Sequence, residues 1–108
     1  MENNDEKQTF VLEGRIRDGN PWLFVDDVPV SLKHSLRLAF HSPCGFQWGY
    51  GGSGPAQAAL AVLQLVFGDS FAMLHYQRFK SDVIARQEMN KPFKITIDKK
   101  SLEQISQA

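Results

Sequence analysis

The chain has 108 residues, which is enough for one domain and too few for two of ordinary size. Twelve basic and twelve acidic side chains balance, so no global positive field attracts nucleic acid, and a nucleic-acid partner is not expected. Cys44 is the only cysteine, which excludes an intramolecular disulfide and fits a reducing compartment. The polar N-terminus lacks the pattern of a signal peptide, and no apolar run approaches the roughly 20 residues that span a bilayer. We therefore expect a cytoplasmic protein without a membrane partner.

Alternation of apolar and polar residues predicts four β-strands. The first eight residues are almost wholly polar and predict a disordered tail, 1–8, followed by a single domain over 9–108. Within that domain four short runs alternate or are rich in β-prone residues, and turn residues separate the first three. Pro29 confines the third strand to a sheet edge. The strands are predicted over residues 9–16, 22–25, 28–32 and 93–97.

The middle of the chain predicts a buried helix that begins at a proline. Pro55 favours the first helical position, which makes Gly54 the N-cap and lets the side chain of Gln57 turn back toward that cap. Residues 55–67 are apolar on nearly every side of a helix. We therefore expect this helix to be buried on most of its faces.

A second helix is predicted directly after Gly68, which ends the first one. Asp69 or Ser70 caps the second helix, and its pattern continues to about Gln87. So short a join makes the pair an antiparallel αα-hairpin. Residues 33–41 fit both a helical and a strand period, and we predict irregular structure or a short strand there.

A short C-terminal helix is predicted after the cap residue Asp98, through Leu102 and Ile105. The chain order is then three strands, two helices, one strand and one helix. This order predicts an α+β domain in which a small antiparallel sheet of three to four strands packs on the buried helix of the αα-hairpin.

Residues 45–57, which read GFQWGYGGSGPAQ, form a glycine-rich loop that leads into the predicted buried helix. Gly49, Gly51 and Gly54 satisfy the pattern GxGxxG, and backbone N–H groups at such a helix start bind anions. A dinucleotide-binding fold is excluded because a second helix, rather than a parallel strand, follows. A phosphate-binding P-loop is excluded because Pro55, rather than lysine, follows the last glycine. A simpler anion- or nucleotide-binding turn remains.

Two other interpretations of this loop stay open. The glycines also allow a tight turn that lets Trp48 and Tyr50 lie against the buried helix without any ligand. Equally, the rings of Trp48 and Tyr50, beside Phe46, can stack a base or a sugar.

Reactive and charged side chains give weaker indications. A thiol at Cys44, three residues after His41, suggests nucleophilic catalysis, but this spacing does not specify the geometry, and a small buried cysteine is the simpler interpretation. No pair of histidine or cysteine residues has zinc-site spacing, so neither a metal nor another cofactor is expected. Arg78, Lys80 and Arg86 suggest a solvated helix face rather than a nucleic-acid footprint.

The loop and the second helix carry a long sequence signature. They closely resemble a family of small uncharacterised proteins, of unknown function, from bacteria, phages and plasmids. Its signature is similar to HSPxGFxWGYGGSGPAQxAL followed by YQxFKxxVxAR, and the resemblance covers about residues 9–105. The resemblance implies the fold and a mobile-element setting, and it transfers no known activity. Several polar members of the signature are not types that a hydrophobic core requires: His41, Ser42, Gln47, Ser53 and Gln57.

We therefore predict a non-enzymatic binder of an anionic small molecule or nucleotide. Loop N–H groups would hold the anion, an aromatic ring would stack on the ligand, and a cation from the second helix would complete the site. The alternative is a protein-interaction module, such as an inhibitor of a host factor, with the aromatic loop as its hot spot. The predicted ligand-binding residues are His41, Trp48, Tyr50, Gly51, Gly52, Ser53, Gly54, Gln57, Lys80 and Arg86.

Overall fold

A computed structural model describes residues 8–102 of the chain. It contains an antiparallel sheet of four strands in the spatial order β3-β2-β1-β4, so the third and fourth strands form the two edges. The strands follow the predicted ones within two or three residues, and the third is shorter than predicted. They are β1 (Thr9–Arg17), β2 (Asn20–Val25), β3 (Val28–Pro29) and β4 (Phe93–Asp98).

Helices cover one side of this sheet and confirm the predicted α+β class. The two long helices α2 and α3 form the predicted hairpin, and their join is a single residue, Gly68, whose φ of 95° suits glycine. Residues 99–102 begin the C-terminal helix, and Asp98 caps it through a hydrogen bond from the Lys100 N–H. The helices are α1 (Leu32–Leu36), α2 (Ser53–Phe67), α3 (Asp69–Asp82) and a 3-10 helix (Ile84–Arg86).

The core lies between the sheet and α2. Alternate residues of β1 and β2 point toward the helices and are almost fully buried, as a half-buried antiparallel sheet requires. Ten consecutive residues of α2 are buried, which confirms the prediction that this helix is surrounded on most faces. The sheet contributes Phe10, Leu12, Leu23, Val25 and Ile97 to the core.

The segment after β3 differs from the prediction. Residues 33–41 are predicted to be irregular or a short strand, but Leu32–Leu36 form the helix α1. Ser31 is the reason, because its hydroxyl accepts a hydrogen bond from the His34 N–H at 3.1 Å and so caps the first turn. The same cap ends β3 at Pro29 rather than at Leu32.

The predicted caps of the long helices also need correction. Helix α2 begins at Ser53 with Gly52 as its N-cap, one half-turn earlier than the predicted cap at Gly54. Pro55 still lies in the first turn, where its missing N–H has no helical partner. Helix α3 is capped by Gly68 rather than by Asp69 or Ser70, and it ends at Asp82 before the 3-10 helix.

Two predictions fall partly outside the described residues. All of the predicted tail except Gln8 lies there, as does Ile105 of the predicted C-terminal helix. Within residues 8–102 no helix combines the length and apolar character that crossing a membrane requires.

Gly14 in β1 makes room for the aromatic residues that attach the glycine-rich loop to the sheet. The ring of Trp48 stands edge-on to that of Phe93, with centroids 5.0 Å apart. A Cβ on Gly14 would lie 2.4 Å from the Phe93 ring and 2.9 Å from the Trp48 ring. Both distances are shorter than any ordinary van der Waals contact.

We expect Gly14→Ala to destabilise the protein by about 1–3 kcal/mol, as overpacking does in other cores. The sign of the change in unfolding free energy is informative. In an uncrowded strand the same substitution lowers the backbone entropy of the unfolded chain and therefore stabilises the protein. Urea unfolding followed by far-UV circular dichroism gives the free energy. The matched control is Gly51→Ala, since a Cβ on Gly51 would meet no atom within 4 Å. Equal stability of the two variants would contradict this account of Gly14.

Candidate functional site

The side chain of Gln57 holds the segment before the glycine-rich loop against α2. It is fully buried, and its Oε1 accepts hydrogen bonds from the N–H groups of His41 at 2.8 Å and Ser42 at 3.1 Å. Its Nε2 donates to the Ser35 hydroxyl at 2.8 Å and to the Ala39 carbonyl at 3.1 Å. The amide therefore uses its full set of hydrogen bonds inside the protein. The expectation that this side chain turns back to cap its own helix is wrong.

Trp48 anchors the middle of the loop to the sheet. Its ring is 2% exposed, and its Nε1 donates a hydrogen bond of 2.8 Å to the carbonyl of Lys91, in the segment that enters β4. A buried ring with its N–H satisfied is part of the core. In this arrangement Trp48 offers no face on which a ligand can stack.

Gly49 docks the loop against the end of the helical hairpin. Its N–H donates to the Ile84 carbonyl at 3.1 Å, and its φ is 93°. A Cβ at this position would lie 2.6 Å from backbone atoms of Met89. The two chain segments touch backbone to backbone here, which is a contact that only glycine permits.

The ring of Tyr50 lies over the start of α2. A Cβ on Gly52 would be 2.6 Å from this ring, and one on Gly54 would be 3.2 Å from the Tyr50 hydroxyl. The same Cβ on Gly54 would lie 2.5 Å from the side chain of Gln47. Gly52 and Gly54 therefore allow the side chains of Tyr50 and Gln47 to approach the backbone closely. Tyr50 itself remains 42% exposed, and Ser53 beside it is exposed.

His41, in the segment before the loop, contacts α3. Its Nε2 lies 2.8 Å from the hydroxyl of Tyr76, and the two rings are tilted with centroids 5.4 Å apart. Lys80 is half-buried on α3, one turn after Tyr76. Arg86 is exposed in the 3-10 helix.

The structure divides the ten predicted site residues into two groups. Trp48, Gly54 and Gln57 are buried, and their contacts are within the protein. The others keep surface at the loop or at the end of the hairpin: His41, Tyr50, Gly51, Gly52, Ser53, Lys80 and Arg86. Cys44 is exposed rather than buried, contrary to the simpler interpretation of its thiol. Among residues 8–102 no group of three or more His, Cys, Asp and Glu side chains could hold a metal ion.

Two residues of this region are missed by sequence reasoning. Ser35 completes the hydrogen bonds of Gln57, and nothing in its local sequence indicates that role. Met89 is 52% exposed directly beside Gly49, and only the fold brings these two residues together, because they are 40 positions apart in the numbering.

A cleft borders the opposite side of the loop. It has a volume of about 250 Å³, and the loop contributes Gln47 and Trp48 to its wall. The remainder is formed by the β1–β2 hairpin and by the turn before β4, through Ile16, Gly19, Pro21 and Asn90. No charged side chain is among these lining residues, so the cleft is not where a cation would meet an anionic ligand.

We expect Gln57→Leu to destabilise the protein by about 3 kcal/mol. The substitution keeps the volume but leaves the His41 and Ser42 N–H groups without an acceptor, and each buried group left unpaired costs about 1–3 kcal/mol. Hydrogen exchange measured by NMR should show these two amides exchanging faster, together with loss of protection in the loop. The control is Gln64→Leu on the same helix, where the side chain is partly exposed and the change should stay below about 0.5 kcal/mol. Unchanged exchange at the His41 and Ser42 amides in Gln57→Leu would refute the role of Gln57 in holding this segment.

Comparison with known proteins identifies a family. The sequence model of the family of unknown function DUF6166 matches residues 12–108, which include both long helices, the loop and most of the sheet. Neither the comparison with curated proteins nor that with solved structures gives a significant match. Since the match spans most of the chain, the protein belongs to the DUF6166 family.

Proposed function

We propose that the protein is a binding module that recognises a partner protein through the exposed side of its glycine-rich loop. The observation that supports this most is the contrast between the loop's anchors and its surface. Gln57, Trp48 and Gly49 fix the loop by buried hydrogen bonds and backbone contact, while Tyr50 and Met89 stay 42% and 52% exposed. A rigidly held loop loses little entropy on binding, so its exposed side chains contribute more of their contact energy to affinity.

The residue types at this surface suit a protein partner. Tyrosine, methionine and arginine are enriched in protein interfaces, and tyrosine is among the most frequent hot-spot residues. The two aromatic positions predicted to stack a ligand do not act together, because Trp48 is buried while Tyr50 is exposed. A nucleotide base could therefore stack on one ring only, and not between two. A protein partner needs only one exposed aromatic side chain as an anchor.

The charges near the loop indicate what the partner carries. The side chains of Lys80 and Arg86 make no ion pair with another described residue. A partner with an apolar patch for Tyr50 and Met89, flanked by carboxylates, would complement this surface. The resemblance to proteins of phages and plasmids suggests a host protein as that partner, which is the alternative function predicted from the sequence.

We expect a photoreactive residue at position 50 of the full chain to cross-link to one partner in the organism that encodes the protein. The same residue placed at Leu74, a 78% exposed position on α3, should give no adduct. Once the partner is purified, Tyr50→Ala and Met89→Ala should each weaken binding at least about tenfold, whereas Leu74→Ala, on α3, should not change it. Adducts from position 74 but not from position 50, or full affinity of Tyr50→Ala, would rule out the loop as the interface.

Anion binding at the start of α2 is the second candidate. No side chain caps this helix end, and its first turn has no acidic residue, so the positive end of the helix dipole is uncompensated. Ser53 is exposed there, and the Tyr50 hydroxyl lies close to Gly54. A phosphate or carboxylate can accept from the first N–H groups of such a helix.

We expect inorganic phosphate and a panel of nucleotides to distinguish this candidate from the first. A ligand present at about 100 times its dissociation constant would raise the unfolding free energy by about 2.7 kcal/mol and shift the NMR signals of the Ser53 and Gly54 amides. Leu74→Ala serves as the control that leaves binding unchanged. No stabilisation and no amide shift with any anion would exclude this candidate and leave the protein interface as the proposal.

A further inference from the structure

The face of the sheet that points away from the helices is not covered by any described residue of α1, α2 or α3. The side chains of β1 alternate, so that Phe10 and Leu12 enter the core while Glu13 and Arg15 lie on the other face. On the neighbouring strand Trp22 is 49% exposed and stands opposite Arg15 in the strand register. We call this surface, formed by the outward side chains of β1–β4, the outer face.

An apolar strip lies on the β2–β3 side of the outer face. It consists of Trp22 and Phe24 of β2 and Pro29 of the edge strand β3, which stands opposite Phe24. The strip lines a depression of about 390 Å³, whose remaining walls are Arg15, Ile16 and Arg17. Trp22, Phe24 and Pro29 together form a contiguous, partly exposed apolar patch with arginines at its edge, and patches of this kind mark contact with another molecule.

The charges on either side of this strip have opposite signs at its two ends. Arg17 lies at the end of β1 near the β1–β2 turn, and its side chain makes no ion pair with another described residue. Asp27 lies at the opposite end, in the β2–β3 turn, with its side chain 87% exposed. Asp18 in the β1–β2 turn is the exception to this separation. The outer face therefore has a basic end and an acidic end.

Arg15 occupies the centre between these ends and is already engaged within the chain. Its guanidinium lies 3.8 Å from the centroid of the Phe24 ring and 2.9 Å from carboxylate oxygens of both Glu13 and Asp27. The hydrogen bond from Arg15 lowers the pKa of Glu13, so the pair stays ionised. The Arg15–Glu13 pair at the centre of the outer face is thus neutral, while the exposed Lys94 of β4, opposite Glu13, adds one positive charge beside it. Arg17 and Asp27 carry the charges at the two ends.

We propose that the outer face binds a second copy of this chain, so that two sheets pack face to face about a two-fold axis that lies between them and runs perpendicular to the strands. This operation places the basic end of one protomer on the acidic end of the other, so that the contact between Arg17 and the partner's Asp27 occurs twice. It also places Trp22 over the partner's Phe24, which buries both apolar strips. The occupant is a second copy because one surface supplies both halves of the complementarity.

The size of the outer face sets the expected strength of this dimer. β1, β2 and β4 have nine, six and six residues and β3 has two. At about 3.4 Å per residue and about 4.8 Å between strands, they present roughly 375 Å² per protomer. Two such faces bury about 750 Å² in total, which is below the range of stable interfaces and corresponds to a weak, transient one. We therefore expect a weak, reversible dimer with a dissociation constant of roughly 100 μM or more rather than an obligate one.

The dimer is independent of the proposed protein-binding function. Trp48 packs on the opposite side of the sheet, against Gly14 and Phe93, so the glycine-rich loop stays free when the outer faces meet. Each dimer then presents two loops. A partner with two binding sites would be bound by both loops at once, which raises the overall affinity without any new contact.

Analytical ultracentrifugation of the full chain from micromolar to millimolar concentration tests this proposal. We expect concentration-dependent dimerisation that Trp22→Ser weakens at least about tenfold, since the interface loses a tryptophan from both protomers. Leu74→Ser is the matched control, because Leu74 is the more exposed residue but lies on α3, and it should leave the dissociation constant unchanged. Thermal unfolding of both variants shows that the fold is retained.

Charge reversal tests the orientation. Arg17→Glu and Asp27→Lys should each weaken dimerisation, because each places like charges opposite one another at both ends. Mixing these two variants should restore association as a heterodimer. At one end the introduced carboxylate of the first chain contacts the introduced ammonium group of the second. At the other end the unchanged Arg17 and Asp27 contact each other. Wild-type chains that stay monomeric at all concentrations, or a dimer that Trp22→Ser leaves intact, would overturn the proposal. A dimer that mixing fails to restore would overturn the two-fold arrangement.

Discussion

The buried carboxamide of Gln57 is the interaction on which the functional region depends. It lies on the first turns of α2, in the most buried part of the molecule, and it makes hydrogen bonds to four groups of residues 35–42. An amide in this position without partners would be strongly destabilising, so only one arrangement of that segment is compatible with a folded core. The glycine-rich loop starts three residues after Ser42, the last residue that Gln57 holds. Its path is therefore determined by one polar side chain inside an otherwise apolar helix.

Periodicity in the sequence is enough to predict the fold but not the exposure of the site. The strands, the helical hairpin and the buried character of α2 follow from patterns of two and 3.6 residues, which are local. Helix α1 escapes prediction because a single serine cap decides between two patterns that residues 33–41 fit equally well. Gln57 and Trp48 are predicted to face a ligand because their true partners are distant in sequence. The Trp48 ring, for example, bonds the carbonyl of residue 91, 43 positions away.

The glycines show why a motif is ambiguous without its surroundings. GxGxxG suggests an approach of the backbone to phosphate, and the predicted anion site depends on that pattern. In the folded chain Gly49 approaches the backbone of Met89, and Gly54 approaches Gln47. Of the three glycines in the pattern, only Gly51 has open space where a side chain would be. Close approach is the correct physical reason for the other two, but the approaching groups belong to the protein itself.

The two surfaces that the fold leaves open differ in a way that bears on function. The loop surface is small, rigid and flanked by cations that pair with no other described residue, so it is asymmetric and suits a partner of different chemistry. The outer face of the sheet has an internal Arg15–Glu13 ion pair at its centre and opposite charges, Arg17 and Asp27, at its two ends, so it suits a copy of itself. A sheet of four strands covered by helices on one side must leave the other side either polar or bound. Since Trp22 and Phe24 make it partly apolar, association through this face is the arrangement that hides this surface while keeping both loops accessible.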